Sequence, residues 1–550
     1  MGTDSALASM DRSLRDGYYQ AGYWTTESLW VTLEARALSD PRAVAFVDEY
    51  RTLCYGELLQ EAEAFGCALG ARGIGPGEPV LIVGRNMHSS AVAMLGCWRQ
   101  GSVAVPVPPM YSSSQLASIA SNCHARVLVC TADGDAQLQA AAAVQAAGVG
   151  LFVTGAPAEG SLAWPDLLAE GAAGCPPTPG DADALAMLIY SSGTTGIPKG
   201  VMHSANTIRY TARQMATLHS LDASDVVLVV CQFGFIGSIV FGFLVTMLTG
   251  ARAVLLARWK PERALELIST HRATYTLMMP THIVDTLASP TLAGTDCTSL
   301  RRGVLAGINR EQREHAARAL CALPFPMFGM SECAGQSTCS MDDPSEKWAS
   351  TDGHPLPGAE IRILDDDGKP ALPGIAGHVL VRGPSRCLGY YNATELTRDA
   401  LTADGFFRTG DLGFLDVDGY FTFGTRARDV IRRGGVTIVP AELEDQLSRH
   451  PLVQHAAIIA LPDGRLGERA CACIVPRGAQ APDLDMLNAF LTAQGVPAYL
   501  LPEFVVAFDE FPRTPSLKVK KAELVLLAQH VLDKQRTHPP AAIPRGEQLP

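Results

Sequence analysis

The sequence is short of charged residues and has no excess of positive ones. Lys and Arg number 44 and Asp and Glu number 56 among 550 residues, which gives a net charge of −12. Charged residues make up 18% of the chain, below the roughly 25% of an average soluble domain. Broad nucleic-acid binding is therefore disfavoured, because it needs a dense Lys and Arg surface that displaces counterions from phosphates. Small anionic ligands are not excluded, since a local pocket can be positive on a negative protein.

Cysteine is too sparse for a disulfide-based scaffold. The 14 cysteines are scattered along the chain, without the density of a small secreted domain. We expect them to be reduced and mostly buried as small hydrophobic residues. The closest pair, Cys471 and Cys473, alternates as in a strand and has no second pair at the spacing of a zinc site.

One stretch, 226–251, has no charged residue and is long enough to span a bilayer. Its β-branched residues and glycines favour a buried strand over 225–230, a loop over 232–238 and an apolar helix that ends at Gly250. We therefore favour burial between the layers of a large body, with a membrane span as the alternative. The N-terminus lacks the apolar segment of a secretory signal, so a cytoplasmic location is expected.

The first two thirds of the chain alternate between strand-like and helix-like segments. The apolar content of 47% is sufficient for a sizeable core. This alternation predicts layered, mainly parallel sheets, in which ligands bind at the carboxyl ends of strands. Predicted strands are 79–83, 103–107, 126–130, 185–190, 252–256 and 274–279, and predicted helices are 58–72, 90–100, 261–271 and 310–322.

The pattern changes towards the C-terminus. Antiparallel strands are predicted from about residue 352 to 423, and a mixed pattern with helices over 441–450 and 484–493 follows. The predicted fold is α/β: a large N-terminal body with a small β subdomain, then a small α+β C-terminal domain. We predict a body over 1–427, a C-terminal domain over 428–535 and a disordered, proline-rich tail over 536–550.

The strongest motif directly follows a predicted strand. It offers small hydroxyl residues, glycines with accessible backbone N–H groups and a lysine, a set that suits a polyphosphate. It is not a P-loop, because a glycine follows the lysine, and its alternative interpretation is a solvated turn. The motif reads Tyr190-Ser191-Ser192-Gly193-Thr194-Thr195-Gly196-Ile197-Pro198-Lys199-Gly200.

This segment resembles the phosphate loop of the acyl-adenylate-forming superfamily, which includes acyl-CoA synthetases, aryl-acid activating enzymes and luciferases. The other landmarks of that superfamily follow in order along nearly the whole chain. The resemblance implies that Thr195 is catalytic and that ATP is bound by Ser191, Ser192, Gly193, Thr194, Thr195, Gly196 and Lys199.

A second segment, Phe328-Gly329-Met330-Ser331-Glu332, resembles the aromatic-Gly-x-Thr-Glu motif of the superfamily. The resemblance implies that the Phe328 ring covers the adenine, that Gly329 and Ser331 contact the nucleotide and that Glu332 is catalytic and holds Mg²⁺. A glutamate is a hard oxygen ligand that suits magnesium beside phosphates.

Further resemblances lie near and beyond the start of the C-terminal domain. They imply that Asp411 binds the ribose hydroxyls, that Arg426 contacts the nucleotide and that Arg428 is the hinge about which the small domain turns. Gly435 resembles the residue beside the tunnel for the thiol arm. Lys518 resembles the catalytic lysine, whose charge would bridge the carboxylate and the α-phosphate. Two residues depart from the usual pattern, Thr425 before Arg426 and Leu517 before Lys518.

The loop after the strand at 225–230 resembles the acyl pocket of the superfamily. Many relatives carry a histidine where this chain has Gly234, and the asparagine of salicylate activators is not found here. The apolar loop favours a hydrophobic acid that is cyclic, aryl or modest aliphatic. The residues assigned to the acyl pocket are Phe233, Gly234, Phe235, Gly307 and Met330.

The resemblance implies a two-step reaction. An acid and Mg·ATP would give acyl-AMP and pyrophosphate, and a thiol would then release AMP. The expected substrates and cofactors are a small carboxylic acid, ATP, Mg²⁺ and coenzyme A, with neither a nucleic-acid partner nor a membrane span. Two alternatives stay open: loading of the acid onto a carrier-protein phosphopantetheine, and a non-catalytic nucleotide-binding protein.

Overall fold

Runs of aliphatic and β-branched residues form the strands of the protein, and helices connect them. The structure, a computed structural model, describes residues 12–154, 160–178, 180–191, 199–433, 436–513 and 519–537. The chain divides into two units, Met1–Thr409 with Phe414–Thr422, and Gly410–Gly413 with Phe423–Pro550. The predicted domain boundary after residue 427 stays a prediction, and the predicted tail lies outside the described residues from 538 onwards.

The strands in chain order are β1 (Val44–Val47), β2 (Thr52–Cys54), β3 (Pro79–Val83), β4 (Val103–Val107), β5 (Val127–Cys130), β6 (Leu151–Thr154), β7 (Leu162–Ala163), β8 (Leu185–Ser191), β9 (Lys199–Ser204), β10 (Val226–Val229), β11 (Arg252–Leu255), β12 (Tyr275–Met278), β13 (Arg302–Leu305), β14 (Leu323–Phe325), β15 (Met327–Phe328), β16 (Ser337–Thr338), β17 (His354–Pro355), β18 (Glu360–Leu364), β19 (Gly377–Arg382), β20 (Gly389–Tyr390), β21 (Phe407–Leu415), β22 (Phe421–Arg426), β23 (Ile431–Arg433), β24 (Val436–Ile438), β25 (Val453–Asp463), β26 (Gly467–Pro476) and β27 (Phe504–Ala507).

The α-helices are α1 (Arg12–Gln20), α2 (Leu29–Ser39), α3 (Tyr55–Ala71), α4 (His88–Arg99), α5 (Ser113–Cys123), α6 (Asp135–Ala147), α7 (Trp164–Gly171), α8 (Ala205–Leu218), α9 (Val245–Thr249), α10 (Pro261–His271), α11 (Pro280–Ala288), α12 (Arg310–Ala319), α13 (Ser345–Ser350), α14 (Thr394–Ala400), α15 (Pro440–Ser448), α16 (Leu484–Ala493) and α17 (Lys521–Thr537). A π-helix spans Ser238–Leu244, and short 3₁₀ turns span Leu292–Gly294, Ala427–Asp429 and Ala498–Leu500.

Two mainly parallel sheets form the first unit. One has the order β14-β13-β12-β10-β11-β1-β2 and the other has the order β20-β9-β8-β4-β3-β5-β6-β7. Strands such as β3, β4 and β10 are buried at every position, because parallel sheets are covered on both faces. A further sheet of order β18-β19-β21-β22 begins with an antiparallel pair. The predicted α/β body of layered parallel sheets is confirmed.

The second unit combines a sheet with helices. Its strands have the order β24-β23-β26-β25, and β27 pairs in parallel with β26. The long hairpin β25–β26 packs against α15 and α16 through buried aliphatic residues that include Leu447, Ile458 and Leu487. This is the small α+β C-terminal arrangement that the sequence predicts.

The uncharged stretch 226–251 is interrupted as predicted. β10 is followed by a loop, the π-helix and α9, which ends at Gly250 in the left-handed conformation with φ of +79°. The apolar run is therefore buried as a strand, a loop, a π-helix and a short α-helix. Among the helices of the described ranges, we find none that is long and apolar enough to cross a membrane.

A buried asparagine joins the two parallel sheets at the carboxyl ends of their strands. Asn86 follows β3, is 1% exposed, and donates through Nδ2 to the carbonyl oxygens of Cys231 at 2.8 Å and Leu256 at 3.1 Å. Its Oδ1 accepts from the Ser238 hydroxyl at 2.9 Å. The loop after β10 is therefore held from the neighbouring sheet.

The expectation that the cysteines are reduced is wrong for one pair. Cys67 in α3 and Cys175 form a disulfide, with their Cα atoms 5.6 Å apart. The pair is separated by 108 positions in the sequence, so local spacing carries no sign of it. Eleven of the twelve free cysteines, all in the described part of the chain, are buried, as expected for small hydrophobic residues.

Candidate active site

A hairpin frames the predicted phosphate loop. β8 lies parallel to β4 and pairs antiparallel with β9, with Ser191 opposite Lys199. The connection 192–198 therefore begins at the carboxyl end of a parallel strand, where α/β folds bind ligands. It lies outside the described residues, as do the predicted ATP-binding residues Ser192, Gly193, Thr194, Thr195 and Gly196.

Three side chains form a group at the base of that hairpin. The Tyr390 hydroxyl donates to Glu332 Oε1 at 2.8 Å, and Lys199 Nζ lies 5.6 Å from the centroid of the Tyr390 ring, within range of a cation–π contact. Burial and the neighbouring Glu332 charge raise the pKa of Tyr390, so the hydroxyl stays protonated and remains a donor. We call this the Glu332–Tyr390–Lys199 group.

Backbone pairing explains why these residues meet. β20 pairs antiparallel with β9, which sets Tyr390 opposite Val201, two residues beyond Lys199. The Cys387 N–H donates to the Glu332 carbonyl at 2.7 Å and fixes the chain on the other side. Main-chain hydrogen bonds thus hold the segment around Tyr390 next to β9, about 190 positions earlier, and next to Glu332, about 60 positions earlier. The side-chain contacts of Tyr390 follow from this backbone arrangement.

A buried histidine holds the residue before Glu332. His203 Nε2 lies 2.7 Å from the Ser331 carbonyl, and Nδ1 lies 3.1 Å from the Thr207 hydroxyl. Burial lowers the pKa of His203 to about 4, so the ring is neutral near pH 7. Since a carbonyl only accepts, Nε2 carries the proton and donates to Ser331.

The aromatic residue of the second motif packs in the first unit. Phe328 ends β15 opposite Ser337, is 6% exposed, and its ring centroid lies 4.8 Å from that of Phe421. A Cβ on Gly329 would overlap the Ala334 carbonyl oxygen, so the connection between β15 and β16 requires glycine there. Contact of Phe328 with adenine stays a prediction.

The loop after β10 is tightly constrained. Gly234 has φ of +97°, and a Cβ there would lie 2.6 Å from the Pro108 nitrogen. The Phe233 side chain is completely buried and packs edge-on against Phe243, whereas Phe235 is half-buried. Of the two rings assigned to the acyl pocket, Phe235 is therefore the more accessible.

The other two residues assigned to the acyl pocket lie on different connections. Gly307 follows β13 in the left-handed conformation with φ of +64°, and a Cβ there would lie 3.1 Å from Pro280 Cγ. Met330 is half-buried, and its carbonyl accepts from Cys333 N–H at 3.1 Å. Their place in an acyl pocket stays a prediction.

In the second unit, the predicted ribose-binding carboxylate pairs with the predicted nucleotide-contacting arginine. Arg426 Nε lies 2.8 Å from Asp411 Oδ1, and the Asp411 side chain is 1% exposed. Thr425 is buried in β22 next to Arg426. Successive residues of a strand point to opposite faces, so the unusual Thr425 does not prevent the Asp411–Arg426 pair.

The remaining predicted residues of this unit are described only in part or not at all. Arg428 lies in the 3₁₀ turn Ala427–Asp429. Gly435, Leu517 and Lys518 lie outside the described residues.

The sequence did not reveal several residues that the structure brings to these loops. Tyr390, His203 and Asn86 all act through partners far along the chain, so no local spacing predicts them.

The glycine- and hydroxyl-rich sequence between β8 and β9, together with the Glu332–Tyr390–Lys199 group, is consistent with an AMP-forming acid–thiol ligase. Residues 33–391 match the AMP-binding enzyme family and residues 442–518 match the AMP-binding enzyme C-terminal domain. The chain belongs to the AMP-binding enzyme family.

Individual relatives are similar along nearly their whole length. The chain is 34% identical over 539 residues to the salicyl-AMP ligase / salicyl-S-ArCP synthetase of Mycobacterium tuberculosis, with 95% of each chain covered. It is 30% identical over 522 residues to the medium-chain fatty-acid–CoA ligase of Escherichia coli strain K12, with 92% of this chain and 91% of that one covered. Its fold is similar to that of the anthranilate CoA ligase AuaEII in complex with anthranoyl-AMP, with a TM-score of 0.85, 24% identity and coverage of 93% and 99%.

Proposed function

We propose that the protein activates a hydrophobic carboxylic acid, cyclic, aryl or modest aliphatic, as acyl-AMP and transfers the acyl group to CoA. The products are acyl-CoA, AMP and pyrophosphate. The observation that carries the proposal is the Glu332–Tyr390–Lys199 group, which sets a carboxylate and a lysine at the base of the hairpin loop. Family membership supports the same chemistry.

In the first unit, the proposed roles follow the chemistry of each side chain. Lys199 and the loop residues Ser191 to Gly196 bind the phosphates of ATP through hydroxyl, N–H and ammonium donors. Phe328, Gly329 and Ser331 contact the nucleotide. The neutral His203 fixes the Ser331 carbonyl and with it the direction in which Glu332 leaves the main chain.

Glu332 is the proposed magnesium ligand. Tyr390 occupies Oε1 with one hydrogen bond, and a carboxylate has further lone pairs for a hard cation. A single protein carboxylate suits Mg²⁺, because this ion usually keeps several waters and is bound by one or two carboxylates together with substrate phosphates. Bound there, the ion would neutralise phosphate charge.

The second unit supplies the other proposed roles. Asp411 accepts hydrogen bonds from the ribose hydroxyls, and Arg426, which already pairs with it, adds positive charge for the nucleotide. Lys518 stabilises the charge that develops between the carboxylate and the α-phosphate. Arg428 is the proposed hinge, and Gly435 leaves room for the thiol arm.

The thiol acceptor is proposed as CoA, with a carrier-protein phosphopantetheine as the second candidate. The name of the fatty-acid relative specifies CoA, whereas that of the salicyl-AMP relative specifies loading of ArCP. A broad acid panel, assayed for acid-dependent pyrophosphate release and then by mass spectrometry with CoA or carrier protein, tests both steps. No acid-dependent pyrophosphate release across the panel would refute the proposal.

Replacing Tyr390 with phenylalanine is expected to raise the Mg²⁺ concentration needed for half-maximal adenylation by about tenfold, because a residue that orients a metal ligand typically contributes 10–100-fold to affinity or activity. The ring that faces Lys199 is kept. The measurement is pyrophosphate release, and the ATP-dependent rise in thermal unfolding midpoint, at varied Mg²⁺.

The matched control is Tyr391→Phe, since the main-chain N–H of Tyr391 donates to Gly200 and does not need the phenol. An unchanged Mg²⁺ dependence in Tyr390→Phe would show that its hydroxyl does not position Glu332.

A further inference from the structure

The disulfide of the first unit is isolated among many free thiols. It joins Cys67 in α3 to Cys175 in the connection between α7 and β8, while twelve other cysteines of the described chain are free. A protein of 550 residues has a core large enough to fold without such a cross-link. One bond among 14 cysteines is not a disulfide scaffold either. The pair therefore needs an explanation other than a scaffold role.

A buried arginine contacts one of the two sulfurs. Arg99, the last residue of α4, has a completely buried side chain, and its Nη1 donates to Cys175 Sγ at 3.1 Å. A neutral sulfur is a weak acceptor, so the contact contributes little while the disulfide is intact. A thiolate at the same place would be a charged acceptor, and hydrogen bonds between charged groups are about twice as strong as neutral ones. Arg99 therefore favours the reduced pair with Cys175 as a thiolate.

The charge of this arginine is only partly balanced in the oxidised protein. Arg99 Nη2 donates to Glu63 Oε1 at 2.9 Å, but the Glu63 side chain is 41% exposed and solvent screens the pair. The guanidinium also lies 5.6 Å from the centroid of the Trp30 ring, which adds a weaker attraction. Reduction would give the buried cation a second anionic partner at Nη1, and a buried charge gains from each partner that compensates it.

The two cysteines differ in their access to solvent. Cys67 is 6% exposed and lies against the core, whereas Cys175 is half-buried. An external thiol therefore reaches Cys175 first. The same guanidinium that contacts its sulfur also attracts an approaching thiolate, because the two carry opposite charges.

The contacts that bring the cysteines together do not depend on the bond between them. Arg99 Nη2 also donates to the Cys175 carbonyl, and the Arg99 carbonyl accepts from the Thr178 N–H at 3.3 Å. Gly171, at the end of α7, lies so close to α3 that a Cβ would overlap the Ala64 carbonyl oxygen. The reduced cysteines therefore remain neighbours, and the bond can form again.

We propose that Cys67 and Cys175 are a reversible redox pair that exchanges with external thiols, with Arg99 stabilising the reduced state. An external thiolate attacks Cys175 Sγ and forms a mixed disulfide, while the bond to Cys67 breaks and Cys67 takes up a proton. A second external thiolate attacks the first and releases Cys175 as a thiolate beside Arg99. Two thiols thus lose two electrons and leave as their own disulfide. Of their two protons, one is on Cys67 and the other is in solvent.

Titration of the full chain with glutathione tests the inference, which does not depend on the proposed function. The protein is equilibrated without oxygen over a series of ratios of reduced to oxidised glutathione. Acid quenching, differential alkylation and peptide mass spectrometry give the reduced fraction of Cys67 and of Cys175. We expect both to be reduced together within the series, and to form their mutual bond again when oxidised glutathione is restored. A structural disulfide would resist reduction by glutathione.

Three variants separate the role of the arginine from simple access to the bond. Arg99→Met removes the charge and is expected to lower the equilibrium constant for reduction by about tenfold, the effect of losing a hydrogen bond to a charged group. Glu63→Gln removes the competing carboxylate and should raise the constant by about threefold, because the pair is partly exposed. Glu170→Gln is the matched control, since Glu170 in α7 pairs with Arg72 instead and should leave the constant unchanged.

Each outcome decides the inference. Reversible reduction that is weakened in Arg99→Met, strengthened in Glu63→Gln and unchanged in Glu170→Gln supports it. A folded wild-type protein that stays oxidised at the highest proportion of reduced glutathione, or that stays reduced in oxidised glutathione alone, overturns it. If Arg99→Met does not fold, Glu63→Gln decides the role of the arginine, and a constant equal to that of Glu170→Gln overturns that role.

Discussion

The Lys518→Ala variant is expected to form acyl-AMP a hundredfold or more slowly than the wild-type protein, and to transfer chemically supplied acyl-AMP to the thiol at a near-normal rate. A preorganised donor that faces developing negative charge lowers the activation free energy by about 3 kcal/mol. That charge forms only while the carboxylate attacks the α-phosphate, so the second half-reaction does not need the lysine. Pyrophosphate release and thioester formation, measured separately, check the two rates.

A neighbouring lysine provides the control. Lys520 is exposed and pairs with Glu523 at 3.1 Å, so Lys520→Ala should leave both half-reactions near the wild-type rate. Equal loss of both half-reactions in Lys518→Ala would contradict the proposal that the small domain turns between the two steps and presents Lys518 only during adenylation.

The Glu332→Gln variant is expected to lose adenylation by on the order of a hundredfold and to require more Mg²⁺, because a neutral amide oxygen is a much weaker ligand for a hard cation than a carboxylate. The replacement keeps an oxygen that can accept from the Tyr390 hydroxyl, so the local structure should be preserved. ATP binding with and without Mg²⁺, measured by calorimetry, separates loss of the metal from loss of the nucleotide site.

Glu346→Gln is a suitable control, since Glu346 lies in the first turn of the short helix α13, outside the Glu332–Tyr390–Lys199 group. Tight, Mg²⁺-dependent ATP binding in Glu332→Gln would show that Glu332 is not a magnesium ligand.

The sequence predicts best those elements whose signals are local. Continuous aliphatic runs give β3 and β4 with their observed bounds. The bounds of α16 are also predicted, because Asp483 caps its first turn by accepting from Met486 N–H at 2.8 Å and apolar residues recur along one face.

The sequence says less where conformation depends on distant contacts. The π-helix Ser238–Leu244 lies in a run that is apolar on every side, so it has no periodicity to interpret. The disulfide between Cys67 and Cys175 and the bond from Tyr390 to Glu332 join segments far apart in the chain. The composition of the loop after β10 predicts that it is apolar, but its attachment to the neighbouring sheet depends on a contact between Asn86 and Cys231, which are 145 positions apart.

The way Asn86 holds the loop after β10 has a consequence for divergence and redesign. Its amide binds main-chain carbonyls at Cys231 and Leu256, groups that every residue type possesses. Exchange of side chains within 232–237 therefore leaves this anchor intact, provided that glycine is kept at position 234. If the loop after β10 lines the acyl pocket as proposed, one scaffold accommodates new acid preferences through substitutions in one short segment, whereas a change at Asn86 would disturb the loop for every substrate at once.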